Sequence, residues 1–189
     1  MEELDWLETL MKLRREGKID RIGVSLRDNR PEEGVDLVAA GLVDSVQCIF
    51  NIFEQRPAGD LFREGGRTST AFIARVPLDS GSLVGHWTPE SYVAFEPGSQ
   101  PHTMFRGNRF AETLARVEKL KALCKPFYAT LAEAAMRYVL SAPQLSTLIP
   151  GMQNRAQVDM NIAYCDGAAF PEALTKALPQ HTWIRNYYQ

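Results

Sequence analysis

Hydroxyl, amide, glycine and arginine residues follow the short apolar segments of this sequence. Parallel sheets place ligand sites at the carboxyl ends of their strands, so these residues are the first candidates for chemistry. The candidates are Ser25, Arg27, Asp28, Asn29, Gln47, Asn51, Arg75, Leu78, Asp79, Ser80, Gly81, Ser82, Gly151 to Arg155, Gln157 and Asn161. They include no histidine and no evident acid–base pair. Such groups hold an anionic or amide-bearing ligand better than they transfer protons.

The stretch STLIPGMQNRAQVDMNIA has the pattern of a strand and a turn that opens a helix. The first N–H groups of a helix have no partner within it and attract anions. Gly151 leaves room for close approach of the backbone, and Arg155 is placed to add positive charge. Gln157 and Asn161 are four residues apart and share a helix face. The pattern predicts a phosphate site here, and ordinary loop and capping roles are the alternative.

The other chemistry-bearing residues do not indicate a second site. None of the three histidines follows a strand or has a partner at metal-ligand spacing, so we interpret them as surface residues and predict no metal site. Asp28 and Asp79 are candidate catalytic carboxylates, although capping and turn roles are commoner for Asp in such loops. The histidines are His86, His102 and His181.

Three irregularly spaced cysteines, Cys48, Cys124 and Cys165, are typical of free and mostly buried thiols in a reducing compartment. Cys48 lies in a predicted strand, which favours a core role over that of a nucleophile.

Strands alternate with helices along the chain, which predicts parallel strands joined by crossovers. The predicted strands are Arg21–Ser25, Ser45–Phe50, Ala71–Val76 and Leu145–Pro150, after a first helix over about Glu3–Glu16. RPAGDLFREGG predicts only a short, weak helix, because Gly65 and Gly66 each cost roughly 1 kcal/mol relative to Ala inside one. The long loop Leu78–Gly107 is typical of a functional lid. Its aromatic residues would cover a ligand or pin the loop to the body.

The composition is that of one globular domain of 189 residues, with 45% hydrophobic and 23% charged residues. The net charge of -2, with no basic patch, excludes nucleic acid as an expected partner. No apolar run approaches the ~18 residues of a transmembrane helix. The amphipathic start lacks the order of a signal peptide, so we expect a cytoplasmic protein.

Four segments occur in the order and at about the spacing of one known family: LRREGKIDRIGVS, DSVQCIFNIFEQ, FIARVPLDSGSLVG and the stretch from TLAEAAMRYVL to DMNIA. Together they resemble the later part of an aldo-keto reductase, over Leu4 to about Tyr188. The resemblance implies an α/β fold, the C-terminal half of a (β/α)8 TIM barrel. About four parallel strands, the fifth to eighth of the barrel, would carry helices on the outside in one partial domain over residues 1–189.

The resemblance also implies a cofactor site for NADP, with NAD as the alternative. Ser25 and Gln47 would hold the nicotinamide carboxamide, and Arg75 would lie beneath the nicotinamide ring. The pyrophosphate would contact Leu78, Ser80, Gly81 and Leu83, and the adenosine end would contact Gly151, Met152, Gln153, Gln157 and Asn161. The family often has Lys, Ser and Arg in this last segment. Departures at Gly151, Met152 and Gln157 leave the choice between NADP and NAD open.

The catalytic Tyr, Lys, Asp and His of the resembled family belong to its first four strands. We therefore assign no catalytic residue in this chain and expect the chain alone to be inactive. In the complete enzyme, a small aldehyde or ketone would be reduced to an alcohol. Two alternatives stay open: a non-catalytic half-barrel that binds a dinucleotide or another subunit, with self-association through exposed sheet edges, and an inactive fragment.

Overall fold

The computed structural model describes residues 5–187, which form one parallel four-stranded sheet with helices packed against it. The strands lie in the order β1-β2-β3-β4 and are β1 Gly23–Ser25, β2 Ser45–Ile49, β3 Ala71–Arg75 and β4 Leu145–Ile149. The helices are α1 Asp5–Arg15, α2 Val35–Ala39, α3 Asp60–Thr68, α4 Gln100–Met104, α5 Asn108–Cys124, α6 Leu131–Leu140, α7 Arg155–Ala163 and α8 Glu172–Ala177. This confirms the predicted α/β fold. Glu3, in the predicted first helix, lies outside the described residues.

The two faces of the sheet differ in burial. Val46 and Cys48 of β2 and Phe72 of β3 are buried in a core shared with α1 to α3. On the opposite face, Gln47 pairs in register with Ser25 on one side and Ile73 on the other. Thr147 continues this row on β4 and is exposed, like Ser25. The outer face is therefore packed, whereas the face that a closed barrel would turn inward is partly open.

Helix α3 spans nine residues, so the predicted short helix is present, and it extends two residues past Gly66. A Cβ added at Gly65 would lie 2.0 Å from the Phe72 ring. The glycine therefore lets α3 pack directly on β3, with Leu61 and Phe62 buried beside it. Tertiary packing outweighs the low helix propensity of glycine at this position.

The long loop is folded around its own aromatic residues. It contains two 3-10 segments, Asp79–Val84 and Pro89–Ala94, and then α4. Trp87 packs against Phe105 and Phe110, which are buried. Of the two roles considered for the loop's aromatic residues, pinning the loop to the body is the one observed.

Candidate functional site

A cleft of about 860 Å³ lies where β3 and β4 end. Its lining is mostly backbone turns, amides and small residues: Asp28, Arg75, Val76, Pro77, Leu78, Ser80, Gly81, Val84, His86, Gln100, Pro101, Ile149, Pro150, Gly151, Gln153, Gln157, Met160 and Asn161. Eight of the twelve predicted cofactor residues meet here: Arg75, Leu78, Ser80, Gly81, Gly151, Gln153, Gln157 and Asn161. Such a volume falls in the range of small-molecule and cofactor sites.

One side of the cleft is the segment of residues 76–85 after β3, which we call the β3 turn. Val76, Asp79 and Ser80 have φ of 56°, 48° and 53°, and Gly81 has φ of 99°. Non-glycine residues seldom adopt such angles, and they cluster at ligand-binding turns. The Gly81 N–H donates to Leu78 O at 2.9 Å, which closes the turn. Turns of this kind can point successive backbone N–H groups at an anion.

Buried polar groups hold the β3 turn from beneath. The Asn51 side-chain amide donates to Val76 O at 3.0 Å. The Asp79 carboxylate accepts from Ser82 Oγ and from Arg185 Nη2, both at 2.5 Å. Asp79 is thus a structural ion-pair partner and not a free catalytic carboxylate. Sequence reasoning missed Arg185, because 106 residues separate it from Asp79 and no local motif marks it.

Arg75 lies at the end of β3 and is largely buried. Its Nη2 donates to Leu26 O at 3.1 Å and to Asp28 Oδ1 at 2.7 Å. Asp28, the second candidate carboxylate, is therefore paired with the arginine. The pair fixes a guanidinium at the cleft surface while offsetting its charge.

The other side of the cleft, residues 150–161, is the α7 wall. Asn154 caps α7 by accepting a hydrogen bond from the Gln157 N–H at 3.0 Å. Gln157 Oε1 accepts from the Gln153 N–H at 2.6 Å, and Asn161 Nδ2 donates to Gly151 O at 3.4 Å. Gln157 and Asn161 thus lie on the same face of α7, and both hold the turn of residues 151–153 that precedes the helix. Arg155 does not line the cleft, and its exposed side chain lies 3.6 Å from Asp159 on the same helix.

Four predicted cofactor residues lie outside the lining of the cleft. Ser25 and Gln47 form their own pair on the open face of the sheet, with Gln47 Nε2 donating to Ser25 Oγ at 3.1 Å. Leu83 is fully buried in the core formed with α5, α6 and α8 and does not line the cleft. Met152 is 51% exposed on the α7 wall.

The histidines differ in their surroundings. His86 is exposed at the cleft. His102 stacks on Tyr92, and partial burial lowers the pKa of His181. In residues 5–187, no three His, Cys, Asp or Glu side chains converge as metal ligands.

Burial decides the character of the cysteines. It raises the pKa of Cys48 to about 12 and that of Cys124 to about 11. Cys48 is 2% exposed and lies in the core of the sheet, which confirms its core interpretation. Cys165 is exposed, so two of the three thiols are buried, in agreement with the prediction of mostly buried thiols.

The family model of the aldo/keto reductases matches residues 2–181. The chain belongs to the aldo/keto reductase family. No curated protein sequence matches it significantly. The described residues contain no helix with the length and apolarity needed to cross a bilayer.

Two solved structures share the fold of this family member. The glycerol dehydrogenase AKR11B4 from Gluconobacter oxydans is 21% identical, with a TM-score of 0.73 over 93% of this chain and 52% of its own. The aldo-keto reductase AKR11C1 from Bacillus halodurans, in its holo form, is 19% identical, with a TM-score of 0.68 over 97% and 58%. The chain thus spans a little over half the length of these structures, as four strands of an eight-stranded barrel would.

Proposed function

We propose that residues 1–189 form one partial aldo-keto reductase domain, strands five to eight of the barrel. It would supply most of the cofactor site of an NAD(P)H-dependent reductase of aldehydes or ketones. The observation that carries the proposal is the convergence of eight predicted cofactor residues on one cleft at the ends of β3 and β4. Family membership over residues 2–181 supports this reaction class.

The donor set fits a dinucleotide. The β3 turn, with its left-handed residues, suits the pyrophosphate, and the α7 wall suits the adenosine end. Ser25 and Gln47 already form a hydroxyl–amide pair on the open sheet face, where a nicotinamide carboxamide could exchange hydrogen bonds with both. Leu83 does not fit a direct contact, because it is buried in the core.

A bound cofactor of this class supplies hydride from its nicotinamide to a carbonyl carbon. The residues of this chain bind and orient the cofactor. Arg75, which is held by Asp28, fixes one edge of the site for the nicotinamide ring. We assign the proton donor to strands other than the four present here. No residue of this chain is proposed to transfer a proton.

NADP is the proposed cofactor, with NAD as the alternative. The adenosine end is lined by neutral side chains, including Gln157 and Asn161. Arg155 is the one basic residue of α7, and its contact with Asp159 is exposed. An exposed ion pair of this kind is weak, so Arg155 can exchange Asp159 for a 2′-phosphate.

Calorimetric titration of NADPH and NADH into the 189-residue chain tests these assignments. We expect saturable binding, weakened about tenfold in Arg75→Met. The matched control is Arg63→Met on α3, whose exposed arginine pairs with Asp60 away from the cleft. A chain that stays folded but binds neither dinucleotide contradicts the proposal. Loss of the preference for NADPH in Arg155→Met supports NADP, and equal binding of NADH by the unmodified chain identifies NAD.

Self-association is a second proposal, and the open sheet face favours it. Ser25 and Thr147 on this face are exposed, and Ile149 at the edge strand is 48% exposed. Unpaired edges and apolar faces in water favour association. Sedimentation equilibrium should give a discrete oligomer, whereas a stable monomer would contradict it.

The free cysteines support the proposed cytoplasmic, reducing location.

A further inference from the structure

Residues 183–187, which we call the tail, pack against the β3 turn. Arg185 Nη2 donates to Asp79 Oδ2 at 2.5 Å, and the two side chains are only 10% and 6% exposed. Asp79 lies inside the turn and has φ of 48°. The tail is thereby joined by a buried ion pair to the residues that border the cleft.

Aromatic rings fix the position of the Arg185 guanidinium. Its Cζ lies 4.2 Å from the ring centre of Trp183, 4.8 Å from that of Tyr187 and 5.1 Å from that of Phe53. Its Nε is buried and has no hydrogen-bond partner within the described part of the chain. Contacts of a cation with aromatic faces are strongest where water is excluded. The guanidinium is thus held for one polar partner in particular, the carboxylate of Asp79.

The later part of the long loop, residues 86–107, contacts the β3 turn from another side. A Cβ added at Gly81 would lie 3.1 Å from the ring of Trp87. Trp87 belongs to the aromatic cluster with Phe105, and the ring of Phe105 contacts Tyr187 of the tail at a centroid distance of 6.2 Å. The tail and residues 86–107 of the long loop are therefore in contact with each other, and both pack against the β3 turn.

We propose that Arg185 is a positioning residue for the cofactor site. It holds Asp79, and through Asp79 keeps the β3 turn in the left-handed conformation that presents its backbone to a pyrophosphate. Without such a constraint, non-glycine residues leave the left-handed region. The consequence for binding rests on the proposed function, but the effect on the turn does not.

Amide hydrogen exchange on the 189-residue chain without cofactor tests the effect on the turn. The Gly81 and Leu83 amides both donate to Leu78 O and report whether the turn is closed. We expect at least tenfold faster exchange of these amides in Arg185→Met. The control Arg116→Met removes a cation 4.3 Å from the Trp183 ring but not the bond to Asp79, and should leave the exchange unchanged. Exchange at the wild-type rate in Arg185→Met would overturn the inference.

Titration with NADPH tests the consequence for binding. The dissociation constant should rise about tenfold in Arg185→Met, and Arg185→Lys, which restores a cation, should recover part of the loss. An open turn with unchanged affinity would overturn the assignment to the cofactor site. If the unmodified chain binds no dinucleotide, the proposed function fails, and hydrogen exchange still decides the role of Arg185 in the turn. Circular dichroism verifies folding, and the near-isosteric Asp79→Asn carries both measurements if Arg185→Met unfolds.

Discussion

The β3 turn and the α7 wall line the same cleft but are held by different kinds of contact. The turn depends on distant residues: Asn51 under Val76, and Arg185 against Asp79. The α7 wall is held by neighbours in sequence, such as Asn154, whose side chain accepts from Gln157 three residues later. Most of the turn is half-buried or buried, whereas most of the wall is exposed.

The difference separates two ways of presenting backbone N–H groups to an anion. A helix N-terminus has its geometry fixed by the helix itself, so a local cap is sufficient. A turn with consecutive left-handed residues has no such internal support and must be held by its surroundings. The turn should therefore be sensitive to substitutions far away in sequence, and the wall only to local ones.

The largest expected effect comes from breaking the buried ion pair of the turn. Arg185→Met leaves the Asp79 carboxylate buried without its counter-ion, and such a loss typically costs about 3 kcal/mol or more of unfolding free energy. The exposed Arg155 on the α7 wall is the matched position, and Arg155→Met should produce no measurable change. Urea unfolding followed by tryptophan fluorescence compares the two. Equal effects would show that the two sides do not differ in this way.

A pair of glycine substitutions, one in the β3 turn and one in the α7 wall, tests the same comparison with a smaller expected loss of stability. Gly81 has φ of 99° and lies against Trp87, so Gly81→Ala should destabilise the fold by about 1–2 kcal/mol. Gly151 is outside the left-handed region, with no heavy atom within 4 Å of an added Cβ, so Gly151→Ala should be nearly neutral. Thermal unfolding of the two variants measures the difference. A Gly151→Ala variant as unstable as Gly81→Ala would contradict the contrast.

The same contrast explains how far the sequence could predict the site. The cap, the turn and the shared face of Gln157 and Asn161 follow from local spacing, and the structure shows them. The Arg185–Asp79 pair does not, because no spacing rule relates residues 106 positions apart. The burial of Leu83 does not follow from local spacing either, since whether a side chain in an irregular turn points to the core depends on the neighbouring helices.

The fold was predictable because predicted strands alternate with predicted helices along the chain. The structure has four parallel strands, as this order indicates. Helix α3 was underestimated because propensity is a local property. The value of Gly65 lies in its contact with Phe72, which only the folded chain brings near. Local sequence patterns thus predicted most strands and helices. They failed where contacts between distant residues determine the local structure.

Removing the cap of the α7 wall should have a moderate and local effect. Asn154→Ala leaves the Gln157 N–H without its acceptor, and loss of such a cap costs about 1 kcal/mol. Hydrogen exchange should increase in the first turn of α7 and stay unchanged in the β3 turn. Asn154→Asp, which keeps an acceptor at the cap, is the control and should retain most of the stability. Faster exchange in both regions would mean that the two sides are coupled.

The smallest effect concerns pH and the end of α7. Arg137 on α6 forms a two-bond ion pair with Asp166, just after α7, and hydrogen bonding to Arg137 lowers the pKa of Asp166 well below its ordinary 3.8. A carboxylate with a lowered pKa stabilises the fold above its ordinary pKa, and this contribution is lost as the pH falls through the lowered value.

Asp166→Asn should therefore be less stable than the unmodified chain at pH 7, and the difference should shrink steadily as the pH falls below 3.8. Urea unfolding of both proteins over this range measures it. Because Asp166 is half-exposed, solvent screens the pair and the difference should be small. A difference that stays constant down to the lowest pH would contradict a contribution from the charge of Asp166, because Asn keeps an oxygen that can accept from the Ala168 N–H.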